Sequence, residues 1–304
     1  MRGDVYVQEV LNKCTALKKA RLWLPEPRMR PNAWLKNFDV SDQPLAAVLL
    51  DNFTFYGDEL TNRLLVGSYS SLADGMPKGP AAPDRATLIG ALPSAVFTRV
   101  EGEDPRPTDS GNLFCRKARQ VLRISDDRFL EPTDALGAAM RGTPVIFLDD
   151  FVGSGDQFIK TWKRAYRPNA APTCFRDAMQ AAPFTAIYVT LVATEYGLTQ
   201  IRAAAPRVAV TVAHVLDETS TVRGLTTHPS FAISDLQDAV AKFLDKYVPR
   251  LQPPPDISQS ATYIRYGYKS RGLMFSFEHS VPDATLPIFW SPGDRDWNPL
   301  VERR

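Results

Sequence analysis

Two adjacent carboxylates, Asp149 and Asp150, stand between an apolar run, Val145 to Leu148, and a cluster of small residues, Gly153-Ser154-Gly155. Acids of this kind accept hydrogen bonds from sugar hydroxyls. Small residues where a helix begins let backbone N–H groups converge on an anion, because the first N–H groups of a helix have no internal partner. Asp156 and Gln157 complete the loop, and a helical pattern follows from Phe158 to Ala165. Carboxylates beside a phosphate cradle suit a sugar phosphate. The apolar run reads as a buried strand with the acids at its C-terminal tip, where open α/β sheets bind ligands. The same spacing also fits an N-capped turn after any buried strand.

An apolar strand, two acids, two mostly apolar residues, then small hydroxylated residues around a glycine: this order resembles the phosphoribosyl-diphosphate (PRPP) motif of type I phosphoribosyltransferases. The resemblance implies that Asp149 and Asp150 meet the ribose 2- and 3-hydroxyls. It implies that Phe151, Val152, Gly153, Ser154, Gly155, Asp156 and Gln157 form the loop around the 5-phosphate. Two positions depart from the pattern. Gln157 stands where the family has Thr or Ser, and Asp156 puts a negative charge in a phosphate loop. Phosphoribosyl transfer breaks the bond between C1 and pyrophosphate through an oxocarbenium-like state. The protein then has to hold the sugar, neutralise the leaving group and present a nucleophile. Mg²⁺ is the implied cofactor, held through the ligand and waters rather than by a dedicated protein cage.

A pyrophosphate loop is expected after the first strand of the sheet. Asp109, Ser110 and Gly111 precede a helix there, with Arg116 and Lys117 a turn further in. In the competing reading, Asp109 or Ser110 only caps that helix. Arg99 and Arg106 read as solvated surface side chains. Tyr188, Phe151 and Trp290 are candidates for an aromatic wall against an acceptor base, or else core residues. Glu195 and His279 are candidate bases, or a first-turn helix acid and a scaffold histidine. Tyr263, Arg265, Tyr266 and Lys269 have the composition of a single-strand stacking surface.

Apolar spacing supplies the elements that position the motif. Thr87–Leu92 or Ala95–Val100 gives the first strand, followed by a loop to Gly111 and a helix from Asn112 to Leu122. A short strand at Leu122–Ile124 and a helix at Pro132–Arg141 come next. After the motif, Tyr166–Thr173 is a proline-bearing linker to a short helix. Phe184–Val192 is a β-branched strand, Thr194–Ala205 a helix and Arg207–Val215 another strand. Strands alternating with helices imply an α/β fold, a parallel sheet with helices on both faces. This phosphoribosyltransferase-like core is expected over 76–216.

Helical patterns at Val5–Leu24, Pro44–Phe53 and from Tyr56, with a short helix capped by Asn32, make residues 1–75 an N-terminal helical cap. Residues 217–304 hold a helix at Ser234–Val248, a Pro253–Pro255 break and a strand at Leu273–Phe277, and form an aromatic C-terminal lid. His279, Pro282, Leu286-Pro287 and Trp290 resemble a divergent phosphoribosyltransferase-like branch found in bacterial conflict systems, which implies an anti-phage role. That resemblance spans residues 30–304.

Composition narrows the function classes. The chain of 304 residues is 44% hydrophobic and 23% charged with a net charge of +2, so no global field draws it to nucleic acid or an anionic membrane. Three separated cysteines, Cys14, Cys115 and Cys174, fit a reducing cytoplasm. No run reaches the roughly 18 apolar residues of a membrane span. The charged start has no signal-peptide core. Three functions remain: PRPP-dependent transfer or hydrolysis; an inactive nucleotide sensor whose N-terminal helices or tail engage a protein partner; and a Mg²⁺-dependent phosphohydrolase that adds Asp217-Glu218 to the acid pair.

Overall fold

The computed structural model describes residues 3–74, 81–102, 110–225, 236–255, 257–294 and 296–303. The chain forms two compact units, residues 1–58 with 217–304, and residues 59–216. The first unit opens with helices α1 (Gly3–Lys19), α2 (Pro31–Leu35) and α3 (Gln43–Asp51), then strand β1 (Thr54–Tyr56). Pro31 rather than Asn32 starts α2, because a first-turn proline is pre-set for helix and needs no N–H partner.

The second unit begins with α4 (Asp58–Asp74) and α5 (Arg85–Ala91), then β2 (Val96–Arg99), α6 (Ser110–Leu122), α7 (Pro132–Met140), β3 (Val145–Val152), α8 (Asp156–Lys163), α9 (Phe175–Ala181), β4 (Ala186–Thr194), α10 (Glu195–Ala204) and β5 (Ala209–Leu216). Of the two candidate first strands, the later one forms. The Asp84 side chain accepts the Thr87 N–H and caps α5, which makes the earlier stretch helical. Leu122–Ile124 is not a strand: Leu122 ends α6 and Arg123 turns at φ 53.

The four strands lie in the order β2-β3-β4-β5, all parallel. All nine residues of β4 are buried, as a central strand covered on both faces requires. One face carries α7, α8, α9 and α10, whose Leu136, Phe158, Trp162, Phe175, Leu198 and Ile201 pack on Phe147 and Tyr188. The other face receives α4, where Tyr69 lies against Phe97 and Ser68 Oγ donates to Thr190 O at 2.8 Å. The α/β fold with a parallel, phosphoribosyltransferase-like sheet is therefore as expected.

The chain returns to the first unit through α11 (Leu236–Tyr247), α12 (Ala261–Tyr266) and β6 (Phe275–Phe277), which pairs in parallel with β1. The N-terminal helices and the C-terminal segment share one aromatic core there. Trp34 stacks on Phe289 at 5.3 Å, and Phe38 touches Phe243, Tyr247 and Trp297. Among the described residues no helix is long and apolar enough to cross a membrane.

Candidate functional site

β3 carries the acid pair deeper into the sheet than its apolar run suggests. The strand continues through Asp149, Asp150 and Phe151 to Val152, with Asp149 paired to Thr190 of β4. Backbone ladders, not hydropathy alone, decide where a strand stops. Asp149 and Asp150 are 4% and 6% exposed. The Tyr188 hydroxyl donates to Asp149 Oδ2 at 2.8 Å, and the Asp150 N–H donates to Asp149 Oδ1 at 3.0 Å. Both donors are neutral. Burial, and then the neighbouring Asp150 carboxylate, hold Asp149 well above the usual carboxylate range. Burial and Asp149 likewise push the Tyr188 phenol upward. Cationic or hydroxyl-bearing ligands would relieve this environment.

The turn Gly153-Ser154-Gly155 leads into α8, so the helix starts earlier than its apolar pattern indicated. Gly155 has φ 82, the left-handed region that favours glycine, and a Cβ there would lie 2.9 Å from Gly197 O. Thr194, the N-cap of α10, accepts the Gly197 N–H at 2.9 Å and donates to Gly153 O at 2.5 Å. Gly197 sits so close that a Cβ would come within 2.7 Å of Gly153 O. The β3–α8 turn is thus braced by the β4–α10 turn. Within the loop, Ser154 Oγ accepts the Asp156 N–H at 3.3 Å and donates to Asp156 Oδ2 at 2.8 Å. Phe151, Gly153 and Asp156 are half-buried, Val152, Ser154 and Gly155 buried, and Gln157 exposed. The positive end of the α8 dipole therefore stands directly after two buried acids.

A family model, PRTase-CE, matches residues 31–303. The chain belongs to the PRTase-CE family. That family is phosphoribosyltransferase-like. No curated protein matches the sequence. Among solved structures the chain is similar to the AQ2163 protein from Aquifex aeolicus, at 16% identity and a TM-score of 0.31, over 64% of this chain and 86% of that one. A likeness this slight carries no argument.

The second predicted loop of this PRTase-CE chain is placed in part. Asp109, like Arg106, lies outside the described residues. Ser110 opens α6, and Gly111 is buried, with room for no Cβ: it would meet Val100 O at 2.7 Å and the Arg99 stem at 3.3 Å. Arg116 is exposed, and Lys117 Nζ donates to Asn62 Oδ1 at 2.9 Å. Arg99 is not a solvated surface residue. Its side chain is 16% exposed and reaches Glu131 at 2.5 Å and Glu101 at 3.5 Å. Burial pushes the nearby Cys115 thiol up to about 12, with the Arg99 cation opposing and the Asp149 carboxylate adding to the rise. One α6 side chain therefore lies within electrostatic reach of both Arg99 and Asp149.

Other candidates resolve into scaffold. Trp290 is buried in the first unit with its Nε1 donating to Thr285 O, and His279 stacks on Phe277 at 5.0 Å. Glu195 is an exposed first-turn acid of α10. Arg265 bonds Asp245 and lies over the Tyr266 ring, so the aromatic-basic stretch is engaged internally. Asp217 accepts the Thr219 N–H at 2.9 Å in an exposed turn. Sequence reasoning missed Thr194 and Gly197. A Thr at the end of a strand with helix spacing behind it was a readable N-cap signal, but its bond to the neighbouring loop was not.

Proposed function

We propose that this chain binds PRPP or a related ribosyl phosphate through Asp149, Asp150 and the Gly153–Gln157 loop, and that it carries out Mg²⁺-dependent ribosyl transfer or hydrolysis. The observation that carries this reading is the braced, glycine-built turn at the N-terminus of α8, set immediately after two buried, adjacent acids. In this reading the acids accept from the ribose hydroxyls, the turn's amides hold the 5-phosphate, and Tyr188 keeps Asp149 oriented. Mg²⁺ would be held through the ligand and waters, with the two carboxylates kept for the ribose hydroxyls. When bound, the ion offsets charge on the departing pyrophosphate. Asp109–Gly111, Arg116 and Lys117 are the proposed pyrophosphate side. A cytoplasmic, bacterial-defence setting is the reading supported by the tail resemblance and by the unpaired Cys14, Cys115 and Cys174.

One observation favours a second reading. The Ser154 hydroxyl is engaged by the Asp156 carboxylate, which presents negative charge to an incoming phosphate. Under this reading the chain is a nucleotide-sensing or interaction protein without turnover, its partner engaging the N-terminal helices or the C-terminal segment. Pyrophosphate release with any nucleobase would remove it. For the first reading, PRPP with Mg²⁺ should raise the melting temperature of the wild type. Asp149→Asn and Asp150→Asn should abolish that rise while folding normally. Variants that respond like wild type would refute the site.

A further inference from the structure

Glu101 follows the C-terminal end of β2 and is 7% exposed. Its carboxylate accepts from Arg164 Nη1 at 2.7 Å and from the Tyr166 hydroxyl at 2.7 Å, with Arg99 at 3.5 Å. Its backbone is tied as well. The Glu101 N–H donates to Thr161 Oγ1 at 3.0 Å, the Thr161 hydroxyl lies 3.3 Å from Glu101 O, and Arg164 Nη2 donates to Gly102 O at 2.7 Å. Thr161 lies in α8 and Arg164 caps its C-terminal end. The N-terminal end of that helix is the proposed phosphate loop. Side chain and main chain therefore join the end of β2, which carries the Arg99 cation, to the far end of the helix that begins at the phosphate loop. A single short helix transmits position rigidly, since packed elements do not deform continuously.

We propose that Glu101 is a positioning residue that fixes the distance between the Arg99 side of the site and the phosphate loop, so that a ligand carrying anionic groups at both ends is preferred over one with a single phosphate. This inference rests on the ribosyl-phosphate reading above and deepens it. Arg99 is suited to the far group because it is mostly buried, stands beside the acid-bearing strand in register with Leu148, and is already held between two carboxylates that a stronger anion would compete with.

The test is calorimetric titration of PRPP and of ribose 5-phosphate, each with Mg²⁺, into wild type, Glu101→Gln and Tyr166→Phe. Tyr166→Phe removes one Glu101 bond and leaves the ion pairs, so it reports even if Glu101→Gln folds poorly. The wild type should prefer PRPP. Glu101→Gln should weaken PRPP about tenfold and Tyr166→Phe by less, with ribose 5-phosphate changed less than about twofold in both. Equal losses for the two ligands would make the cluster merely structural and overturn the inference, as would unchanged PRPP affinity in both variants. A wild type that binds both ligands with equal affinity would do the same. A wild type that binds neither ligand would instead remove the functional reading, and the inference with it.

Discussion

Two buried acid groups sit at the C-terminal edge of the same sheet, and they are treated in opposite ways. Glu101, after β2, is met by Arg164, Arg99 and the Tyr166 hydroxyl. Asp149, in β3, is met by the Tyr188 hydroxyl and the Asp150 backbone N–H, with the Asp150 carboxyl beside it. The first arrangement is complete within the protein. The second sets two carboxyls side by side with neutral donors to Asp149, and it adjoins the glycine turn that is the proposed phosphate loop. Burial of a carboxyl is thus not informative by itself; the charge of its partners separates an anchor from a candidate site.

The largest effect should come from breaking the satisfied acid. Glu101→Ala takes the buried carboxylate away from the Arg164 guanidinium and the Tyr166 phenol, while Arg99 keeps Glu131, and should cost about 3 kcal/mol in denaturant unfolding. A loss near zero would mean that the cluster is solvated. Next, Gly197→Ala drives a methyl into Gly153 O and Val152, 2.7 Å from each, and should cost about 2 kcal/mol. The same variant should weaken phosphate-loop binding if the two turns are coupled as described. Tyr188→Phe leaves Asp149 Oδ2 without its side-chain donor and should cost about 1–2 kcal/mol. Ser154→Ala should be smallest, about 0.5–1 kcal/mol, because one helix-start contact is lost. It would also show whether releasing Asp156 helps or hinders anion binding.

The contrast also has a pH signature. The folded protein holds the Asp149 proton to higher pH than the unfolded chain does. Folding stability therefore falls as pH rises from 3.8 through the raised folded value. Asp149→Asn lacks this penalty, so its stability relative to wild type should increase across that window. Parallel unfolding curves at each pH would contradict the buried placement of Asp149 beside a second carboxyl.

Much of the sheet was legible because its strands are continuous apolar runs with helices between them. Val145–Leu148 and Phe184–Val192 located β3 and β4 directly. Their exact ends were not legible, since the ladder carries Asp149 and Asp150 inside β3. The choice between Thr87–Leu92 and Ala95–Val100 turned on the Asp84 cap, a local signal that hydropathy outweighed. Thr54–Tyr56 gave no strand signal because it is three residues long and its partner, Phe275–Phe277, is distant in sequence. At the site, the acid pair and glycine turn could be read from residue types alone. Glu101, Thr194 and Gly197 could not, because their roles depend on which loops the fold brings together. Arg99 was misjudged for the same reason: an isolated arginine in a sequence says nothing of the two acids that flank it in space.

The most direct measurement is calorimetry of PRPP with Mg²⁺ at mildly acidic pH, in two buffers of different ionisation enthalpy, for wild type and Asp149→Asn. An acid pair that gives up its proton when a sugar and its cation arrive should make wild-type binding release protons, and the variant should lose both the binding and the release. Equal binding by the two proteins, or none by the wild type, would contradict the account.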